Sequence, residues 1–259
     1  MKNNVQLKFI PLRPDKPRVE GITMVMDKGL GMNAVEDLVE TAGHLIDFLK
    51  LGFGTSYVNQ NIKKKISLYQ KNGIKVYPGG TLFEAFCIRN QFDDYRRYID
   101  RLGFDTVEIS DGSMTLPHDK KCEYINVLAR DYTVVSEVGS KMAGLEIPIS
   151  QWISYMKSEL EAGSFKTIAE ARESGTVGIY DLNGKANYEL ISEISKHLPL
   201  ESIIWEAPQK PQQAWFIDHF GANVNLGNIS PAEIVPLETL RLGLRGDTFM
   251  CFLPEEMRQ

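Results

Sequence analysis

The 259-residue chain reads as a single (β/α)₈ barrel of the α/β class. Three observations predict this. Apolar, β-type stretches recur along the whole chain, amphipathic helical stretches separate them, and nearly every apolar stretch runs into a charged residue or a Gly-rich turn. Alternation of strand and helix favours a parallel sheet, and a closed barrel keeps its chemistry at the carboxyl ends of its strands. An open doubly wound sheet would gather its polar residues at one switch point and follow its first strand with G-x-G-x-x-G, which this chain lacks.

In order, the strand candidates are Gly21–Gly29, Leu45–Thr55, Lys75–Thr81 and Thr106–Gly112, then Thr133–Gly139, Phe165–Gly175, Ser202–Pro208 and Asn223–Ile229. Conventional end signals mark the helices between them. Asn33, with Glu36 three residues on, predicts a capped helix through Val35, Leu38, Val39 and Ala42. Ile62, Ile66 and Tyr69 share one face of the next, which turns Lys63, Lys64 and Lys65 toward water. Phe92–Leu102 is amphipathic and closes at Gly103; Ile149, Ile153, Met156 and Leu160 define a helix ending at Gly163. Ser230-Pro231-Ala232-Glu233 reads as N-cap, N1 and N3 of a helix after the last strand. Residues 1–259 form one domain, with an arm over about residues 1–20 laid across the barrel or against a neighbouring subunit.

Composition narrows the function classes. Hydrophobic residues are 43% and charged residues 24%, as in a soluble globular protein, and the net charge is −5. With no extended basic tract, nucleic acid is not an expected partner. No apolar run approaches membrane-spanning length and the N-terminus has no signal-type apolar region, so a cytoplasmic location without membrane attachment is expected. Cys87, Cys122 and Cys251 are odd in number and far apart, which supports neither a disulfide framework nor a zinc knot. His44, His118, His197 and His219 lie away from strand ends, so triad chemistry is not expected.

The informative residues are carboxylates at strand ends. Glu108, Glu137, Glu170 and Glu206 sit in or just after apolar strands four to seven. Adjacent strands are about 4.8 Å apart, so a closed barrel gathers these side chains around one rim. Like charges held so closely require cations. Lys28, Lys50, Lys141 and Arg172 follow strands in the same turns, and an all-oxygen ligand set suits Mg²⁺. The competing reading is a ring of internal salt bridges at the barrel mouth. Pro78-Gly79-Gly80-Thr81 and Gly52-Phe53-Gly54-Thr55 are anion cradles or merely tight turns. Asn225 and Asn228 either bind substrate or hold their loop, and Arg245 with Asp247 forms an ion pair away from the site.

At these motifs the chain resembles the phosphosulfolactate synthase (ComA) family from Arg18 to Phe249. The stretches that carry the resemblance are Asp27-Lys28-Gly29, IDFLKLGFGTS, YPGGTLFE, VEISDGS, SEVGSK, EARESG, WEAPQKPQQ, VNLGNI and LETLRLGLRGDTF. The resemblance implies a barrel enzyme, assembled as a homo-oligomer such as a trimer, that adds sulfite to phosphoenolpyruvate with Mg²⁺. The product is (2R)-2-phospho-3-sulfolactate, which feeds coenzyme M synthesis in methanogens and sulfolactate formation in some bacteria.

It also implies Lys141 as the general acid, with Glu137 and Arg172 as catalytic neighbours. Ser140 stands where many members carry a first lysine of a pair. Glu108, Glu137 and Glu170 are the leading metal ligands, with Glu206 and Asp111 behind them. Lys28 and Lys50, with Arg172, hold phosphate and sulfite; Gly79, Gly80, Thr81, Asn225 and Asn228 complete the substrate contacts. Two other readings are a related barrel that adds a different nucleophile to a phosphorylated enol acid, and a non-catalytic, stress-associated homologue.

Overall fold

A computed structural model of the chain describes residues 6–140 and 147–258. Strand and helix alternate as β1 (Thr23–Asp27), α1 (Met32–Ala42), β2 (Phe48–Leu51), α2 (Thr55–Val58), α3 (Ile62–Lys71), β3 (Lys75–Pro78), α4 (Gly80–Cys87) and α5 (Phe92–Leu102). They continue as β4 (Thr106–Ile109), α6 (His118–Leu128), β5 (Thr133–Val138), α7 (Ile149–Glu161), β6 (Lys166–Ala169), α8 (Tyr188–His197), β7 (Ile203–Glu206), α9 (Lys210–Phe220), β8 (Leu226–Ile229) and α10 (Ile234–Arg241). The strands form one parallel sheet in the order β3-β2-β1-β8-β7-β6-β5-β4. Its end strands, β3 and β4, lie side by side and nearly close the barrel.

That seam is joined by side chains. The Gly80 N–H donates to Glu108 Oε1 at 2.6 Å, the Ser113 N–H donates to Glu84 Oε2 at 2.7 Å, and the Ser110 hydroxyl donates to Glu84. The strand-end Glu108 therefore has a structural partner across the gap.

The barrel interior has two levels, set by the two-residue alternation of a strand. The lower level is apolar: Ile22, Met24, Phe48, Tyr77, Val135, Ile168 and Ile204 form a buried cluster of their own. Two residues beyond Phe48, Val135, Ile168 and Ile204 come Lys50, Glu137, Glu170 and Glu206, all buried. Gly227 supplies the room. A Cβ there would lie 2.6 Å from Met24 Cε and 3.0 Å from Ile204 Cγ2. Outside the sheet the helices bury the larger core, as where Trp205 stacks on Phe216 with ring centroids 5.4 Å apart.

The amino end of the barrel is sealed by polar side chains. Asn225 accepts from the Ile22 N–H (3.0 Å) and donates to the carbonyls of Ile203 (3.0 Å) and Glu201 (3.1 Å). Buried Arg241 donates to the carbonyls of Ala222, Val224 and Ile22. Arg13, from the N-terminal segment, reaches Gly21 O and Glu238. Asn225 thus precedes β8 and fastens the end opposite the chemistry, so the alternative of holding the backbone replaces substrate contact.

Several local expectations change. The first helix starts after Gly31, with Asn33 inside its first turn and no side-chain cap. A 3₁₀ turn, Pro231–Glu233, precedes α10, and Ser230 makes no cap bond. Asp247 pairs with Lys210 at 2.8 Å, not with Arg245. The largest correction is Lys65, which is buried and forms a 2.8 Å ion pair with Asp27. Asp27 also accepts from Tyr69 (3.2 Å) and from the N–H groups of Gly29 and Leu30 (2.7 Å each), so it fixes the turn after β1.

Replacing Lys65 with Met leaves Asp27 buried without its cation and is expected to lower unfolding free energy by about 3 kcal/mol. Urea denaturation measures this, and the double variant Asp27→Asn/Lys65→Met should regain at least half. A loss below about 1 kcal/mol would show that the buried pair contributes no more than a surface bridge.

Candidate active site

The carboxyl ends of the strands surround a cavity of about 300 Å³. Met26, Lys50, Gly79, Glu137, Glu170, Glu206 and Asn228 line its floor and walls, while Phe53, Thr81, Arg172, Glu173 and Ser174 come from the following turns. Glu137, Glu170 and Glu206 are buried, and one carboxylate oxygen of each lies within 4.8 Å of the others. Strand alternation explains this convergence: each is an inward position on β5 or β7 or one residue past β6.

Lys50, on β2, points into the same level. Its ammonium lies 3.1 Å from Glu108, 3.1 Å from Glu137 and 3.3 Å from Glu206. Burial works against that charge, yet the three glutamates together raise the lysine pKa well above its usual value. It donates hydrogen bonds to Glu137 and Glu206 and forms an ion pair with Glu108, which makes it a counter-charge of the acidic ring. Lys50 also lines the cavity, where it was expected to hold phosphate or sulfite.

Glu206 is shaped by the same surroundings. Burial pushes its carboxyl up to about 7; Lys50 and the Ala171 N–H oppose that shift, and Glu137 and Glu108 add to it. The Ala171 N–H donates to Glu206 Oε2 at 2.8 Å, which aims this carboxylate across the cavity mouth. Glu206, placed behind the other ligands on sequence grounds, belongs to the converging trio. Glu108 does not: its oxygens face Gly80 N–H and Lys50, on the seam side. Asp111 is also elsewhere, paired with Lys121 at 2.8 Å.

The anion-cradle expectation also narrows. Gly79 N–H donates to Leu51 O at 3.0 Å and Gly80 N–H to Glu108, so these two N–H groups of the Pro78–Thr81 turn are already engaged within the protein. Gly79 and Thr81 still line the cavity. Lys28 stands half-exposed outside it and pairs with Glu173, whose side chain lies on the rim. Arg172 lies on that rim as well. Lys141 lies outside the described residues.

Two wall residues have uncommon backbones. Phe53 has φ +55° at the lip, and Asn228 has φ +56° at the end of β8. The Asn228 amide nitrogen is 3.4 Å from Ala171 O, and its buried Oδ1 has no hydrogen-bond partner among the described residues. A buried acceptor left unmet costs about 1–3 kcal/mol. Phe53 belongs to the Gly52–Thr55 turn already marked in the sequence, whereas Met26 and the Glu173–Ser174 rim are marked only by lying one or two residues from strand-end charges.

Fold and site define an enzyme of the (β/α)₈-barrel class, with an acidic trio, one buried lysine and a polar rim at the strands' carboxyl ends. The solved barrel of a 3-hexulose-6-phosphate synthase superposes with a TM-score of 0.54 at 13% identity, covering 85% of this chain and 99% of that one, which speaks to fold alone. A family-wide sequence profile described as (2R)-phospho-3-sulfolactate synthase (ComA) matches residues 11–247. The phosphosulfolactate synthase of Methanothermobacter thermautotrophicus is 41% identical over 92% of this chain and 95% of its own length. That of Methanocaldococcus jannaschii is 44% identical over 88% and 94%. The chain belongs to the phosphosulfolactate synthase family, whose members are lyase-type enzymes.

The raised Glu206 pKa gives a pH signature for the ligand-free protein. Protonation of this carboxyl favours the fold fully below about 4.5, the ordinary value, and that contribution is lost as pH rises through about 7. Glu206→Gln keeps an acceptor for Ala171 without the charge. Relative to wild type it should therefore gain on the order of 2–3 kcal/mol between pH 5 and pH 8. Parallel denaturation curves at the two pH values test this, and a pH-independent difference would assign Glu206 an ordinary carboxyl.

Proposed function

We propose that the chain catalyses the Mg²⁺-dependent addition of sulfite to phosphoenolpyruvate, giving (2R)-2-phospho-3-sulfolactate. The observation that carries this reading is the convergence of Glu137, Glu170 and Glu206 within 4.8 Å at the barrel mouth of a chain 41% identical to a phosphosulfolactate synthase. Three buried carboxylates converging on one point make an all-oxygen donor set, which is of the kind that fits Mg²⁺. Glu137, Glu170 and Glu206 would hold the ion. When bound, it supplies Lewis-acid stabilisation of negative charge on substrate oxygens.

The chain's own residues carry the remaining tasks. Two anions must meet, and Arg172 at the rim offers a planar fork suited to bidentate contact with phosphate or sulfite oxygens. Lys28, tethered to Glu173, adds a second positive charge at the entrance. The Thr81 hydroxyl, on the cavity wall, offers a donor that orients a bound anion. The sulfur lone pair of sulfite forms the bond to C3 of phosphoenolpyruvate, and the C2–C3 π pair moves toward the carboxylate. Lys141 then delivers a proton to C2, and delivery to one face sets the R configuration. The resemblance in the SEVGSK stretch supports that assignment of Lys141. Its ammonium gives up the proton as the enolate charge collapses, as general acid catalysis requires.

Purified protein with Mg²⁺ should consume phosphoenolpyruvate only when sulfite is present, with product identified by mass; no sulfite-dependent loss across pH and metal conditions would overturn the proposal. Lys141→Ala should lower turnover by at least about a hundredfold, the lower range for a lost general acid. Phosphoenolpyruvate affinity, read by equilibrium binding, should stay within about threefold, a free-energy change below 1 kcal/mol. Equal loss of both would make Lys141 a binding residue.

A further inference from the structure

The rim that bears Arg172 belongs to the connection between β6 and α8, which folds into two small lobes. In the first, Ala171 bridges Gly178 and the Gly175 N–H donates to Arg172 O. In the second, Tyr180 bridges Ala186, and Asp181 organises the turn by accepting from Asn183 and Lys185 N–H groups. Neither lobe is part of a helix or of the barrel sheet.

We propose that Gln212, on α9, is the positioning residue that locks these lobes and so sets the geometry of the Arg172 rim. Its side chain is 3% exposed and every polar atom is used. The Gln212 amide nitrogen donates to Gly175 O of the first lobe (2.9 Å) and to Gly184 O of the second (3.1 Å). Its Oε1 accepts from the Gln209 N–H at 3.1 Å, half of a reciprocal capping box that fixes the side chain at the start of α9. Gln209 adds a further bond by donating to Ser174 O. The contact requires glycine on the other side: Gly175 has φ +69°, and a Cβ there would lie 2.5 Å from the Gln212 amide nitrogen. One amide therefore ties two loop lobes to a helix whose own strand, β7, carries Glu206. This couples the cationic rim to the carboxylate trio, and it is the one assignment here that extends the sulfite reading to a residue that need not touch substrate.

The test has an arm that needs no substrate. Gln212→Met matches the shape without the hydrogen bonds. In the ligand-free protein it should speed tryptic cleavage after Arg172 and Lys185, one in each lobe, by roughly tenfold, the factor that one or two lost hydrogen bonds carry. Cleavage elsewhere should be unchanged. Gln212→Glu keeps the acceptor for Gln209 but turns a carboxylate toward two carbonyls, so it should not rescue. If Gln212→Met fails to fold, Gln209→Ala, which releases Ser174, should accelerate cleavage after Arg172 alone. In turnover assays, Gln212→Met should raise KM for phosphoenolpyruvate by about tenfold with kcat within about threefold, the pattern of a lost binding geometry. Unchanged cleavage at the two bonds, or equal acceleration at every tryptic site, overturns the clamp whatever the enzyme's substrate proves to be. A sulfite-independent enzyme with the expected cleavage pattern would overturn the reaction and leave the clamp standing.

Discussion

The Lys50 ammonium, buried among Glu108, Glu137 and Glu206, is the interaction on which the barrel mouth depends. Ionised carboxylates at this depth are held only if an opposing charge and hydrogen bonds offset their desolvation. Lys50 reaches residues on β4, β5 and β7 from β2, so its contacts span the barrel's interior rather than a neighbouring strand. This arrangement exists only if the sheet closes. The Gly80–Glu108 and Ser110–Glu84 bonds at the β3–β4 seam therefore belong to the same construction. Glu108 is the shared member, with one oxygen toward the seam and the other toward the lysine. That division explains why it stands apart from Glu137, Glu170 and Glu206 although all four look alike in sequence.

Much of this was legible in the residues, for reasons that can be named. Barrel strands buried on both faces read as short apolar runs, and a charged residue inside such a run, as in IIWE or TVEI, has few places to go but the interior at the strand's end. What sequence cannot supply is which inward carboxylate faces which neighbour. That depends on the stagger between strands, with Glu137 beside Ile168 and Glu206 beside Gly227. Glu206 and Glu108 exchanged rank for this reason. A lysine after a strand looks the same whether its partners are bound anions or glutamates of the protein, so the contacts of Lys50 with Glu137 and Glu206 are not readable from its position. Lys65 carries a readable signal in its position: with Ile62, Ile66 and Tyr69 it lies on the buried face of α3, although its charge alone points to water. Asn225 and Asn228, three residues apart, proved to serve opposite ends of one strand, a distinction set by where β8 begins.

The two ends of the barrel use polar groups in contrasting ways. At the amino end, Asn225, Arg241 and Arg13 direct their donors to backbone carbonyls. Neutral backbone accepts most of these donors, and Glu238 pairs with Arg13 at 2.9 Å; burial and the nearby Arg13 pull the Arg241 pKa down to about 9. At the carboxyl end, charge faces charge, and the buried Asn228 oxygen has no partner among the described residues. Donors spent on backbone carbonyls hold a seal together, whereas clustered charge around a cavity suits a place that binds a ligand.

Within the carboxyl end there is a further division, between rigid and irregular parts of the chain. The acidic groups Glu108, Glu137 and Glu206 lie on strands, and Glu170 follows β6 directly. The basic groups Lys28 and Arg172 lie beyond the strands, in turns. An ion with a fixed coordination shell is served by ligands that cannot drift, and strands provide that. The proposed joining of two anions would make a different demand, for cations held at a defined place on the rim. A loop without a helix or sheet of its own secures this only through side chains from its neighbours. The bonds from Gln209 and Gln212 to the Arg172 loop, and from Tyr180 to the Glu206 carbonyl, meet that need with neutral donors. Neutral donors leave the cavity's charge balance to the residues that face the substrates.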